Sequence, residues 1–238
     1  MENDNELQKE IELYLEKENL DKEKIREFFE GKLKEVSQSR LYNFSKLMAY
    51  YKCAMMEIET KLNVLDVEFS LQHDRNPIND IKSRLKSFSS IKEKLERQGL
   101  PFSIESIEEH LKDIAGVRVV CSFPDDVYML AESLLQQDDI ELVSKKDYIK
   151  SPKPNGYRSL HLIITVPIFL AHEKKRMKVE IQLRTIAMDV WASLEHQLRY
   201  KKDTAYTKEM AEELLYCANL SAELVERMDK LRELTLNK

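Results

Sequence analysis

Four stretches of this chain gather side chains that can handle phosphate and metal chemistry. In KVEIQLR (178–184) an extended backbone alternates its side chains. Val179, Ile181 and Leu183 fall on one face, and Glu180, Gln182 and Arg184 on the other. A carboxylate, an amide and a guanidinium in a row suit a site for metal and phosphate; an amphipathic strand with one wet face is the plainer reading. In IKSRLKSFSSIKEKLERQ (81–98), an extended 81–86 puts Lys82, Arg84 and Lys86 on one face. A helical 88–97 puts Ser90, Lys94 and Arg97 on another. Cations converging at a strand-to-helix join can hold a triphosphate, or simply form a solvated face.

In HLKDIAGVRVVC (110–121), Asp113 precedes an apolar strand and Arg118 is embedded in it. A charge so placed needs a ligand or a partner, and the simplest partner is the other member of this pair. In KPNGYRSLH (153–161), Tyr157 follows an Asn-Gly turn, from which a ring can project and stack on a base or else cap the core. His161 on this pattern is equally a core histidine.

Placing these residues requires a sheet. The spacing predicts strands over 116–123, 140–149, 158–166 and 176–184, a helix over 125–137, a loop over 151–157 and a helix over 187–202. Around this mixed α/β centre the sequence predicts one or two short amphipathic helices in 6–36 and a long helix over 40–72. The long helix has Phe44, Leu47, Tyr51, Met55, Ile58, Leu62, Leu65 and Phe69 as its apolar stripe and is ended by Asn76-Pro77. A last amphipathic helix covers 207–235. No repeat or linker divides the chain.

Composition narrows the class. Of 238 residues, 42% are hydrophobic and 34% charged, enough for a core beneath a soluble surface. Only four glycines favour long helices, and a net charge of −5 argues against a nucleic-acid binder. Cys53, Cys121 and Cys217 lack paired spacing and sit in apolar patterns, so core packing and a reducing, cytoplasmic location are expected. There is no signal-peptide pattern, no membrane-length apolar run, no phosphate-binding G-x-x-x-x-G-K-[ST], no H-E-x-x-H and no G-x-S-x-G.

The same stretches, in order, resemble the synthetase domain of RelA/SpoT-type enzymes: NPINDIKSRLKSFSSIKEKL, DIAGVRVVC, KDYI, PKPNGYRSLHL and VEIQLRTIAMDVWASLEHQLRYK, across roughly 76–202. With little chain on either side, and with His73-Asp74 alone in place of a set of hydrolase metal ligands, the chain resembles the small, synthetase-only branch. The resemblance implies an α+β fold: a mixed β-sheet flanked by helices, related to nucleotidyltransferases. The helical extension would be 1–75, the synthetase domain 76–202 and the oligomerisation helix 203–238. It further implies Mg²⁺-dependent transfer of pyrophosphate from ATP to the 3′ hydroxyl of GDP or GTP, in a homotetramer assembled through the terminal helices.

Carried over by motif, Arg84, Lys86, Ser90 and Lys94 hold ATP, with Lys82 and Arg97 as weaker candidates. Asp113 and Glu180 bind Mg²⁺, Glu180 also accepts the hydroxyl proton, and Arg118 neutralises the transferring group. Tyr157 stacks on guanine beside His161 and Gln182, while Lys145, Lys146 and Lys153 grip the acceptor's 5′ phosphates. Asp189, where some relatives carry Asn, accepts from guanine N1–H and N2–H₂, a pair that adenine does not offer. Two competing readings are a nucleotidyltransferase with another acceptor, which would release pyrophosphate, and a nucleotide- or RNA-sensing oligomer with a dead site.

Overall fold

The computed structural model describes residues 22–72, 76–200 and 207–236. Two compact units are present, Met1–Lys46 and Leu47–Lys238. The described part of the first is the opening of helix α1 (Lys22–Gln72), which runs on into the second. No proline interrupts 22–72, so the expected break between 36 and 40 does not occur; the first part of the expected 6–36 segment lies outside the described residues.

The second unit is built on a five-stranded sheet in the order β1-β2-β5-β4-β3. Its strands are β1 (Ile78–Leu85), β2 (Ala115–Cys121), β3 (Glu141–Asp147), β4 (Leu160–Phe169) and β5 (Lys174–Thr185). Only β2 and β5 are parallel, so the sheet is mixed, as expected. The remaining helices are α2 (Phe88–Arg97), α3 (Ile104–His110), α4 (Pro124–Leu135), α5 (Ile186–Tyr200) and α6 (Lys208–Leu236). The sequence pattern gave no sign of α3, about two turns capped by Ser103, whose Oγ accepts from Ser106 N–H.

Alternation makes the sheet two-faced. Val117, Val119, Leu160, Leu162, Ile164, Val179, Ile181 and Leu183 are all essentially buried and share one face. The intervening residues, Arg118, His161, Glu180 and Gln182, are half-buried on the other. From Leu47 to Phe69 the predicted apolar stripe of α1 is buried, and the helix is pinned by Lys61 to Asp139 at 2.8 Å and by Tyr50 Oη donating to Glu173 at 2.7 Å. That stripe is therefore packed inside the chain's own core, while Met56, Val64, Val67 and Leu71 of the same helix are exposed.

Helices α5 and α6 pack on each other through Trp191, Ala192 and Ala218, and Trp191 Nε1–H donates to the Leu214 carbonyl at 2.9 Å. Cys121 is buried in β2, where burial pushes its thiol up to about 12, and Cys53 is half-buried. Cys217, expected in the core, is exposed on α6, because the helix turns the Leu214, Ala218, Ser221 and Val225 stripe inward and Cys217 falls outside it.

The 151–157 loop reaches α6 through Gly156. Its φ of 87° lies in the left-handed region, and a Cβ there would stand 2.4 Å from Ala218 Cβ. Gly156→Ala should cost at least about 1–3 kcal/mol from backbone strain alone, with the clash added. Chemical denaturation of the variant should show the loss; an unchanged midpoint would contradict this packing.

Candidate active site

Strand register assembles the polar face. Pairing places Lys82, Arg118, Gln182, His161 and Lys146 in one row across all five strands, and Arg84, Gly116, Glu180 and Ile163 in the next. Gly116 contributes no side chain between Arg84 and Glu180, so the surface opens there. A cleft of about 300 Å³ results, lined by Lys82, Arg84, Asp113, Arg118, Glu180 and Gln182 among others.

Asp113, just before β2, lies beside Glu180 and raises that group's proton affinity. Each carboxylate is neutralised separately. Lys86 and Lys94 approach Asp113 at 2.9 and 2.8 Å, one at each oxygen. Burial would lift its pKa, but the two ammonium groups outweigh burial and hold it below the ordinary carboxylate range. Burial also works on Glu180, and there the hydrogen bonds from His161 Nδ1 (3.2 Å) and Gln182 Nε2 (3.1 Å) bring it below its usual value. Both groups are thus anions facing one cleft.

The expected Asp113–Arg118 pair does not form, because β2 alternation carries Arg118 on towards α5. There Arg118 Nη1 lies 3.3 Å from Asp189 Oδ1, and its Nε is buried without a hydrogen-bond partner. The same Asp189 oxygen accepts from Arg184 Nη1 at 3.1 Å. Lys86 and Lys94, expected at ATP, are engaged by Asp113 instead. Lys82 pairs with Asp80 on its own strand at 2.5 Å. Ser90 Oγ accepts from the Ser87 hydroxyl, and Ser87 caps α2. Arg97 is exposed at the end of α2 and does not line the cleft.

The acceptor-side residues cluster around Tyr157, whose ring does not project freely. It packs on the Trp191 cluster, with Tyr148 and His161 edge-on at 6.1 and 5.8 Å. Lys153 Nζ and the Arg184 guanidinium lie over the ring at 4.8 and 5.1 Å. Its hydroxyl meets His161 Nε2 at 2.8 Å. Lys146 shares the His161 row, but Lys145 pairs with Leu162 and points from the opposite face, as neighbours in a strand must. Lys145 therefore stands apart from the other two lysines.

Two residues at the centre had no assigned role from sequence. Tyr148 touches both Tyr157 and His161. Arg184, 4% exposed, donates from Nη2 to Tyr157 Oη at 2.6 Å and to Gln182 Oε1 at 2.7 Å. Its place on the polar face of KVEIQLR was the only sequence signal.

Comparison with known proteins gives the family. The region found in RelA / SpoT proteins matches residues 83–205. The GTP pyrophosphokinase YwaC of Bacillus subtilis (strain 168) is 47% identical over 178 residues, 75% of this chain and 85% of the relative. The chain belongs to the RelA/SpoT family. Within that family, the crystal structure of small alarmone synthetase 2 from Bacillus subtilis superposes with a TM-score of 0.73 at 43% identity, covering 80% of this chain and 98% of that one. Small alarmone synthetase 1 from the same organism, bound to its product pppGpp, matches with the same TM-score at 33% identity, over 80% and 97%.

In this RelA/SpoT chain both carboxylates titrate below their unfolded values of about 3.9 and 4.3. Their stabilising contribution is complete above those values and disappears as pH falls through the lower folded ones. Melting temperature should therefore drop as pH is lowered from about 5 towards 3, the window those pKa directions set. The gap between wild type and Asp113→Asn should be widest at neutral pH and close over that window. A gap that stays constant with pH would refute the pairing with Lys86 and Lys94.

Proposed function

We propose that this chain is a GTP pyrophosphokinase, moving the β,γ-pyrophosphate of ATP to the 3′ hydroxyl of GDP or GTP to give ppGpp or pppGpp and AMP. The observation that carries the reading is the pair of ionised carboxylates, Asp113 and Glu180, in one cleft between a cationic donor side and an aromatic acceptor side. The names of the similar relatives favour the same activity.

Two hard oxygen donors suit Mg²⁺, which usually completes its shell with water and nucleotide phosphates. Among the described residues no third His, Cys, Asp or Glu joins them, consistent with that division of ligands. When bound, the ion supplies charge neutralisation on the phosphates. Lys86 and Lys94 stand in for that charge on Asp113 and are near enough to turn to the ATP phosphates. Arg84 and Lys82 extend the cationic wall, with Ser90 and the outlying Arg97 as the remaining ATP candidates.

Glu180 accepts the proton of the 3′ hydroxyl as its oxygen bonds to the β phosphorus. The bond from that phosphorus to the bridging oxygen breaks, and AMP leaves with the electron pair. Arg118, with a free Nε–H, neutralises the transferring group. Positioning and charge stabilisation of this kind are what phosphoryl transfer needs. Guanine stacks on Tyr157 by displacing Lys153, the exposed one of the two cations over the ring; Lys153 and Lys146 then serve the 5′ phosphates. Asp189 reads the guanine edge chiefly through Oδ2, since Oδ1 already accepts from two guanidinium groups.

The catalytic unit corresponds to 76–202, and 203–238 to an assembly helix. The chain works as a homo-oligomer, most simply a tetramer. Support comes from the apolar groove between α5 and α6, where Ile186, Val190, Leu194, Leu220, Leu224 and Met228 are all exposed. Three free cysteines fit a reducing cytoplasm, and no described helix is long and apolar enough to cross a membrane. No nucleic acid is required.

Incubation with ATP, Mg²⁺ and GDP or GTP should yield AMP and the 3′-pyrophosphorylated nucleotide, resolved by ion-exchange chromatography. Release of pyrophosphate in place of AMP would instead indicate nucleotidyl transfer. Glu180→Gln should lower kcat by about a hundredfold or more, the range for loss of a general base; near-wild-type turnover would remove Glu180 from the mechanism. Leu224→Asp should shift the protein to smaller species in light scattering while leaving the monomer fold intact. A wild type that is already monomeric at micromolar concentration would overturn the assembly reading.

A further inference from the structure

We propose that Arg184 is the positioning residue of the acceptor half-site, fixing the direction of every hydrogen bond that reaches Glu180. This rests on the reading of Glu180 as the group at the acceptor hydroxyl. A guanidinium donates hydrogen bonds and never accepts them. Arg184 Nη2 lies 2.6 Å from Tyr157 Oη and 2.7 Å from Gln182 Oε1, so both atoms must accept from it. The other end of each chain is a carboxylate oxygen, which when ionised only accepts.

With Glu180 ionised and His161 neutral, each link has a single direction. Tyr157 Oη accepts from Arg184, so its own proton is free for His161 Nε2 at 2.8 Å. His161 accepts there, carries its hydrogen on Nδ1 and donates it to Glu180 Oε1 at 3.2 Å. Along the second arm, Gln182 turns its oxygen to Arg184 and its Nε2–H to Glu180 Oε2 at 3.1 Å. One buried cation therefore orients both oxygens of Glu180 through two side chains of different chemistry.

Arg184 is itself fixed from behind. Nη1 donates to Asp189 Oδ1 at 3.1 Å and Nε to Ser159 Oγ at 3.4 Å, and the Ser159 hydroxyl donates in turn to the Leu183 carbonyl at 3.2 Å. The residue that faces guanine and the residue that faces the 3′ hydroxyl are thus joined through a single guanidinium. Lysine in its place keeps the charge but not the planar fork.

The test has a structural and a kinetic arm. In protein labelled with ¹⁵N-histidine, long-range proton–nitrogen spectra report the tautomer of each of the five histidines, and His161 is assigned by the loss of its signals in His161→Asn. The Nδ1–H tautomer is expected in wild type, with the Nε2 resonance displaced by its hydrogen bond from Tyr157 Oη; that displacement should weaken in Arg184→Lys and vanish in Tyr157→Phe, the second of which retains the ring should the first fail to fold. An Nε2–H tautomer in wild type, or no change in Tyr157→Phe, would overturn the proposal.

In steady state, each single variant should lower kcat by about tenfold to a hundredfold, the range for a lost hydrogen bond to a charged group. The KM for ATP should hold steady. The double variant should lose less than the product of the two single losses, because both act on one chain. Multiplicative losses, or equal damage to the KM values of both substrates, would mark Arg184 as structural only. A wild type with the expected tautomer but no pyrophosphate transfer would refute the functional reading and leave the hydrogen-bond chain standing.

Discussion

Two carboxylates of like charge, Asp113 and Glu180, stand over one half-buried cleft, and the polar architecture is arranged to keep both ionised. Left alone, burial and mutual repulsion would protonate one of them. The chain answers each with a different device. Asp113 is given two ammonium groups on flexible stems, Lys86 just after β1 and Lys94 on α2. Glu180 is given neutral or delocalised donors, His161 and Gln182, which stay in place whatever binds. Asp113 is thus held by flexible cations and Glu180 by fixed geometry.

The sheet makes this division possible. With β2 and β5 parallel at the centre, the register puts Gly116 against Glu180 and Arg118 against Gln182. The glycine opens the cleft beside Glu180, and the arginine walls it. Cations then stand on the β1 side and rings on the β4 side, with Glu180 on the strand between them.

Much of this was legible in the sequence. Period-two alternation in KVEIQLR separated the core face from the site face correctly, because a strand buried on one side has no freedom in register. The strand-to-helix join at 86–88 and the stripe of α1 were equally plain. What sequence could not supply was pairing in space. Nothing in DIAGVRVVC says that Asp113 meets Lys86 and Lys94 while Arg118 turns to Asp189; that depends on which strands lie alongside. The freedom inferred for the Tyr157 ring failed for the same reason, since α6, sixty residues on, packs against the loop that carries it. Arg184 looked like one more polar residue on a wet face, and only its burial against four acceptors distinguishes it.

The exposure of Cys217 has a practical consequence. Of the three thiols, Cys121 is sealed in β2 and Cys53 is half-covered, whereas Cys217 lines the apolar groove of α5 and α6. The unmodified protein therefore carries its own reporter at the surface where copies would meet. An alkylating reagent should find this sulfur first, and the rate at which it does so, followed against protein concentration, counts how much of the groove is covered at any moment.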